Sequence, residues 1–365
     1  VLWIGDERPQ LPAALVAEEI DLGGARVIPG LVDLHAHPTG GGGEAGPETR
    51  VPAPGLSSYT RYGITSVVGL LGTDAETRNM ASLLAEVRAL RRAGLGAWCY
   101  TGGYHLPPCT LTGSLRGDIV NLEEVIGVGE LALSDFRSSQ PTLDELLRVA
   151  SEAQVGGMLT GKAGLLHLHM GDGPRGLELV RSALEISELP AHLFHPTHVN
   201  RREPLLEEAF ELTRQGCSID LTAFPVGPDE EGFTADAALA RFLDAGLAAE
   251  RVSVSSDSGG CLPVFDAQGE LTHMDVGSGA YLAQALGNLF KSGRSPEQFL
   301  PAFTSNPAHL AKLPGRGVLD PGSMADLVVL GADASIQSVM AAGRWHLRAG
   351  VVQVQGPFET SSYPA

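Results

Sequence analysis

Eight short apolar runs, many of them closing on a polar residue or a glycine, alternate along this chain with longer stretches whose apolar residues recur every three and four positions. The runs cover residues 30–35, 65–70, 97–101, 126–134, 165–169, 193–198, 217–222 and 252–256. Stretches of helical period lie at 81–93, 143–153, 176–188, 203–215 and 236–245. Short apolar runs bounded by turn signals read as buried strands, and the three-four recurrence reads as amphipathic helix. Eight strand-helix units in series predict an α/β fold, a (β/α)8 TIM barrel. The chemistry of such a barrel sits at the C-terminal strand ends and the loops that follow them. The polar residues closing each run are therefore the first candidates for function.

With 365 residues the chain exceeds the roughly 250 a barrel needs. Its two ends differ from the middle: residues 1–27 and 316–365 are rich in Val, Leu and Gly, with β-like runs at 326–330 and 351–355. We expect a barrel over residues 28–315 and a small β-sandwich module built from both termini. Apart from the glycines at 40–43, no low-complexity segment or internal repeat stands out.

Charge narrows the partners. Twenty-five Lys and Arg against 43 Asp and Glu leave a formal net charge of −18, which repels phosphate backbones and anionic lipid, so neither nucleic acid nor membrane is expected. An anionic substrate would need local arginines. The four cysteines, at 99, 109, 217 and 261, form no CxxC pair, so no disulfide framework or Cys-based metal site is expected. No run of about 18 apolar residues occurs, and residues 1–6 lack the blocks of a signal peptide. A cytoplasmic setting is expected.

The first run closes on His35-Ala36-His37, and alternation along a strand turns both imidazoles to one side, a geometry that suits a metal ion. His169 closes the fifth run, His198 closes the sixth, and Asp257 follows the eighth. Spacing alone does not choose between His167 and His169, which share a strand face. Singly, each of these is equally well a hydrogen-bonded core histidine or a capping aspartate. Together, imidazoles and a carboxylate suit zinc first, with iron, cobalt or manganese as alternatives.

Residues 29–37 (Pro-Gly-Leu-Val-Asp-Leu-His-Ala-His) resemble the first-strand signature of the amidohydrolase superfamily, and residues 319–329 resemble its closing signature. More narrowly, residues 40–47, 67–74, 101–105 and 196–201 resemble the isoaspartyl (β-aspartyl) dipeptidases segment by segment. His169-Met170-Gly171-Asp172 matches that family's ligand segment and so favours His169 over His167.

The resemblance implies hydrolysis of the isopeptide bond of β-aspartyl dipeptides by a metal-activated hydroxide at a two-metal, Zn2+-type site. His35, His37 and Asp257 would hold one ion, and His169 and His198 the other. The family bridges its ions with a carboxylated lysine. Alignment on residues 134–137 puts Glu130 there instead, a carboxylate on a shorter arm, and one extra residue near Gly129 suggests a bulge that pushes it inward. Lys162 precedes the fifth strand and should face the other end of the barrel.

The same resemblance implies that Asp257 is the general base and Tyr104 the oxyanion donor. Glu44 would take the substrate amine, Arg137 and Arg201 its carboxylates, and Gly42 and Thr73 would add contacts. Cys261 stands where the family has a substrate-contacting serine. A homo-oligomer is implied too. The alternatives are another amidohydrolase activity, D-aminoacylase-like or cyclic-amide hydrolysing, or a catalytically silent binding barrel in which Glu130 pairs with an arginine.

Overall fold

The computed structural model describes residues 1–6, 18–227, 231–265 and 271–359. Arg26–Pro29 (β1) leads into eight strands: Leu31–Ala36 (β2), Ile64–Gly69 (β3), Gly96–Thr101 (β4), Val125–Leu133 (β5), Leu165–Met170 (β6), Phe194–Thr197 (β7), Ile219–Thr222 (β8) and Val252–Ser255 (β9). Each falls on one of the eight apolar runs. β2 to β7 form one parallel sheet in chain order, and β8 pairs in parallel with β9.

Two joints close the ring. Between β9 and β2, the Asp257 amide donates to His35 O (3.0 Å), the His37 amide donates to Ser258 O (2.8 Å), and the buried Asp33 carboxylate accepts from the Ser256 amide (3.1 Å). Between β7 and β8, Thr197 donates its hydroxyl to Asp220 (2.7 Å), while Asn200 accepts from the Thr222 amide (2.8 Å) and donates to its carbonyl (3.0 Å). The result is the TIM-type α/β barrel that the strand-helix alternation predicts.

The helices wrap outside, and their ends carry the expected chemistry. Met80–Ala93 opens on a reciprocal Asn79–Ser82 capping box and stops at Gly94 in the left-handed conformation. Leu143–Thr160 opens on the matching Thr142–Glu145 pair and runs past residue 153, where the apolar period fades. That last part packs through glycine: a Cβ on Gly157 would sit 2.8 Å from Gly164 Cα.

Cys261–Phe265 (β10) and Leu271–Val276 (β11) make a hairpin directly after Asp257. The chain ends in Leu327–Leu330 (β12), Ile336–Ala341 (β13), Arg344–Arg348 (β14) and Val351–Val352 (β15). β1 pairs antiparallel with β12, so both ends of the chain share one five-stranded sheet in the order β1-β12-β13-β14-β15. No helix among the described residues is long and apolar enough to cross a membrane.

Candidate active site

Glu130 is the centre of the site. It sits on β5, 1% exposed, in the middle of a ring of imidazoles from other strands. Its Oε1 lies 3.7 Å from His37 Nε2, and its Oε2 lies 3.5, 3.3 and 3.6 Å from His35 Nε2, His169 Nδ1 and His198 Nε2. Asp257 Oδ1 closes the other side, 3.0 Å from His37 Nε2 and 3.5 Å from His35 Nε2.

The inward reach of Glu130 comes from the backbone. The pairing of β5 with β6 steps from Val128↔Leu166 to Leu131↔Leu168, three residues against two, which is the extra residue expected near Gly129. Gly129 itself is required by close approach, since a Cβ there would meet His167 Cβ at 2.8 Å.

Among the described residues, two donor groupings fit ions: His35, His37 and Asp257, and His35, Glu130 and His198. Ligand atoms about 2.0–2.1 Å from one tetrahedral ion stand about 3.4 Å apart, and the nitrogen-oxygen separations of 3.0–3.7 Å bracket that value. His35 Nε2, Glu130 Oε2 and Asp257 Oδ1, all facing the centre, are buried without a well-formed hydrogen bond. Polar atoms pay for such burial unless something satisfies them, and cations would.

The surrounding hydrogen bonds fix which nitrogen each histidine presents. His167 lies 3.1 Å through Nδ1 from the His195 carbonyl and 2.8 Å through Nε2 from His35 Nδ1. A carbonyl only accepts, so His167 Nδ1 carries the proton, His35 Nδ1 donates to His167 Nε2, and His35 Nε2 keeps its lone pair for the centre. Burial and the neighbouring His35 hold His167 well below the usual imidazole range, which keeps it neutral in this chain. Asp135 Oδ2 accepts from His169 Nε2 (2.9 Å), leaving Nδ1 toward Glu130. Thr222 Oγ1 meets His198 Nδ1 at 2.7 Å, leaving Nε2 inward.

Electrostatics separates the two carboxylates. Burial drives Glu130 well above the usual range, and the charge of Asp257 adds to it. Burial also works against ionised Asp257, but His35 and His37 outweigh it and hold Asp257 well below its ordinary value. A carboxylate placed like Glu130 is stable as an anion only beside cations.

The remaining candidates gather on the same face. The Tyr104 hydroxyl lies 2.7 Å from His169 Nδ1, and burial, with Glu130 next, raises its pKa well above the ordinary phenol. Arg137 is clamped by Asp135 through Nε (3.0 Å) and Nη2 (2.8 Å), and its Nη1 lies 3.5 Å from Glu44 Oε1. Arg201 lies 3.6 Å from Asp172, and its charge is felt at Glu130, His169 and His198.

Gly42 packs on Cys261, whose Cβ an added side chain would meet at 3.3 Å, and burial pushes the Cys261 thiol up to about 11. Thr73 is half-buried beside Gly72, where a Cβ would stand 3.1 Å from His37 Cε1 and 3.7 Å from Glu130 Oε1. Lys162 donates instead to the carbonyls of Ile119 and Leu122, away from the centre. Spacing left His167 open beside His169, and the structure places it behind His35, bonded to His35 Nδ1. Asp135 and Thr222 were not among the sequence candidates, and of these two Asp135 alone carried a signal, an acid two positions before a candidate arginine.

A family model described as "Amidohydrolase family" matches residues 166–346. The crystal structure of the β-aspartyl dipeptidase of Fervidobacterium islandicum AW-1 in complex with β-Asp-Leu is 41% identical, with a TM-score of 0.84 over 90% of this chain and 86% of that one. A second structure of the enzyme from that organism is 39% identical, with a TM-score of 0.84 over 93% and 89%.

Among curated proteins, the imidazolonepropionase of Pseudomonas aeruginosa is 36% identical over 107 residues, 28% of this chain and 26% of that protein. The match thus spans about a quarter of the curated relative. A dihydroorotase, 17% identical with a TM-score of 0.60, shares the fold.

Proposed function

We propose, from the premise that this chain belongs to the β-aspartyl dipeptidase family of the amidohydrolases, that it hydrolyses the isopeptide bond of β-aspartyl dipeptides with two zinc ions per chain. The observation that carries the reading is its likeness, across 90% of its length, to an enzyme captured with β-Asp-Leu. The donor set supports the metal: the grouped His35, His37 and Asp257 would hold one ion, and the other would take Glu130 and His198 of the second grouping with His169, which stands outside that grouping but 3.3 Å through Nδ1 from Glu130 Oε2. Nitrogen and carboxylate donors at these separations suit zinc.

Divalent ions bound there lower the pKa of water and polarise a carbonyl. The protein's own groups do the rest. Asp257, ionised, accepts the proton of the attacking water and returns it to the leaving nitrogen. Tyr104, whose raised pKa keeps the phenol protonated, donates to the developing oxyanion. The Tyr104 hydroxyl lies against His169 Nδ1, and because one lone pair cannot serve both a tyrosine and an ion, a bound ion would leave this hydroxyl free for the oxyanion.

Glu44 takes the substrate's α-amine, and Arg137 and Arg201 take its carboxylates through forked bonds, a local positive field against the net charge of −18. Gly42 and Thr73 line the pocket. Cys261, a neutral thiol, is a weaker partner than a serine hydroxyl would be. The four free cysteines support a reducing setting such as the cytoplasm, and the family resemblance supports a homo-oligomer.

The test is hydrolysis of β-Asp-Leu against α-Asp-Leu by purified protein. Turnover of the β-linked dipeptide alone is expected. Equal turnover of both, or of neither, would contradict the assignment.

A further inference from the structure

Arg78 lies outside the groups assigned above, 5% exposed, just ahead of the helix Met80–Ala93. Its guanidinium makes five hydrogen bonds: Nε to Thr39 O (3.1 Å), Nη1 to Gly42 O (3.3 Å) and Asp74 Oδ2 (3.1 Å), and Nη2 to Gly41 O (2.8 Å) and Val51 O (3.2 Å). A guanidinium has five N–H groups, so its capacity is filled and nothing remains for a substrate. Four of the five acceptors are backbone carbonyls. An ordinary ion pair would need only Asp74.

Those carbonyls belong to the loop that follows His37 and packs beside Asp257. It leaves the metal ligand His37 through the Gly40 amide to His37 O (2.8 Å), and the Gly41 amide ties it to Gly259 O beyond Asp257 (2.8 Å). It carries Glu44, opposite Arg137, before it reaches Val51. Its glycines cannot be replaced by side chains that would pack it: a Cβ on Gly40 (φ +73°) would sit 2.0 Å from Val51 O, and one on Gly42 (φ +72°) 2.6 Å from Thr49 O. Main-chain bonds must therefore hold it.

We propose that Arg78 is a positioning residue that braces the glycine loop beside Asp257 and thereby aims Glu44 at the substrate's α-amine; the second part rests on the dipeptidase reading. Lysine cannot copy the brace, because a point charge with three donors lacks the planar fork. Arg78→Lys should raise KM for β-Asp-Leu roughly ten- to a hundred-fold, the order expected when a charge-assisted hydrogen bond to the substrate is lost. Metal content should hold and kcat should change far less.

The discriminating readout is succinyl-leucine, the same substrate without the α-amine. The preference of the wild type for β-Asp-Leu over succinyl-leucine should shrink toward parity in Arg78→Lys, and guanidinium added to Arg78→Ala should restore part of it. Amide hydrogen exchange of residues 39–51 should quicken in Arg78→Lys while the barrel strands stay protected. Equal losses on both substrates, or a fall in metal content matching the fall in rate, would overturn the aiming role. Unchanged exchange at residues 39–51 would overturn the brace. If the wild type fails to cleave β-Asp-Leu, the dipeptidase reading falls, and the exchange experiment still decides the brace.

Discussion

Asp135 joins His169, proposed to hold a metal ion, to Arg137, proposed to hold a substrate carboxylate, and replacing it with asparagine tests both proposals at once. Its Oδ2 is shared by His169 Nε2 (2.9 Å) and Arg137 Nη2 (2.8 Å), and its Oδ1 takes Arg137 Nε (3.0 Å) and the Arg137 amide (2.7 Å). Burial opposes this charge, but the His169 bond and Arg137 prevail and hold Asp135 far below its ordinary pKa. Asparagine has one acceptor oxygen and one NH2 group.

With the asparagine oxygen toward His169, its NH2 confronts two donors of Arg137. With the NH2 toward His169, the imidazole must move its proton to Nδ1, the atom that faces Glu130. Each charge-assisted bond lost is worth about 1.5–3 kcal/mol. Losing the partner that orients a liganding histidine weakens metal binding by roughly 10- to 100-fold, or about 1.4–2.7 kcal/mol. Competition titration of Asp135→Asn against a chelating dye should show one of two ions bound that much more weakly, together with a raised KM from the unclamped Arg137. Wild-type affinity for both ions with an unchanged KM would refute the linkage.

Three further outcomes follow from the same geometry. Tyr104→Phe should lower kcat by roughly a hundred-fold or more with little change in KM, as loss of an oxyanion donor does, and steady-state kinetics would show it. Gly129→Ala forces a methyl against His167, so urea unfolding should find a loss of about 1–3 kcal/mol, with metal content falling as Glu130 is displaced.

Asp220 is fully buried, and burial, partly offset by hydrogen bonds from Ser253, Ser255 and Thr197, raises its pKa from 3.8 to about 7. The folded protein therefore holds a proton that the unfolded chain releases. The stability this contributes is full below about pH 4 and lost as pH rises through about 7, on the order of 4 kcal/mol in all. Urea midpoints of metal-free wild type should fall across that window relative to Asp220→Asn, and parallel curves would sink the argument.

The barrel was legible in the sequence because strand and helix periods are local. The positions of His35, His37, His198 and Asp257 were legible as candidates because barrel chemistry collects at strand ends, whereas His169 was separated from His167 only by the family resemblance. Less visible was whatever depends on partners far apart in the chain. His167 reads as a spare histidine on a strand face until the fold sets it 2.8 Å from His35, 132 residues earlier. Arg78 reads as a surface arginine until the glycine loop folds onto it.

The helix Leu143–Thr160 outran its apolar period because its last turns pack through glycines, which carry no hydropathy signal. The helix Gly279–Lys291 and the hairpin β10–β11 were absent from the sequence reading, the hairpin because its strands follow the eighth run with no helix between them. Glu130 stood out through a resemblance, since its inward reach depends on a bulge whose geometry emerges only in the sheet.

Stepwise reconstitution decides whether a Glu130-centred pair of metal ions performs β-aspartyl hydrolysis. Metal-free protein would be titrated with zinc while bound metal per chain and β-Asp-Leu turnover are measured on the same samples, for wild type and Glu130→Gln. The account predicts wild-type turnover that appears as occupancy approaches two ions, and a Glu130→Gln protein that holds fewer and stays slow. Full turnover without metal, or a Glu130→Gln protein with wild-type occupancy and rate, would contradict it.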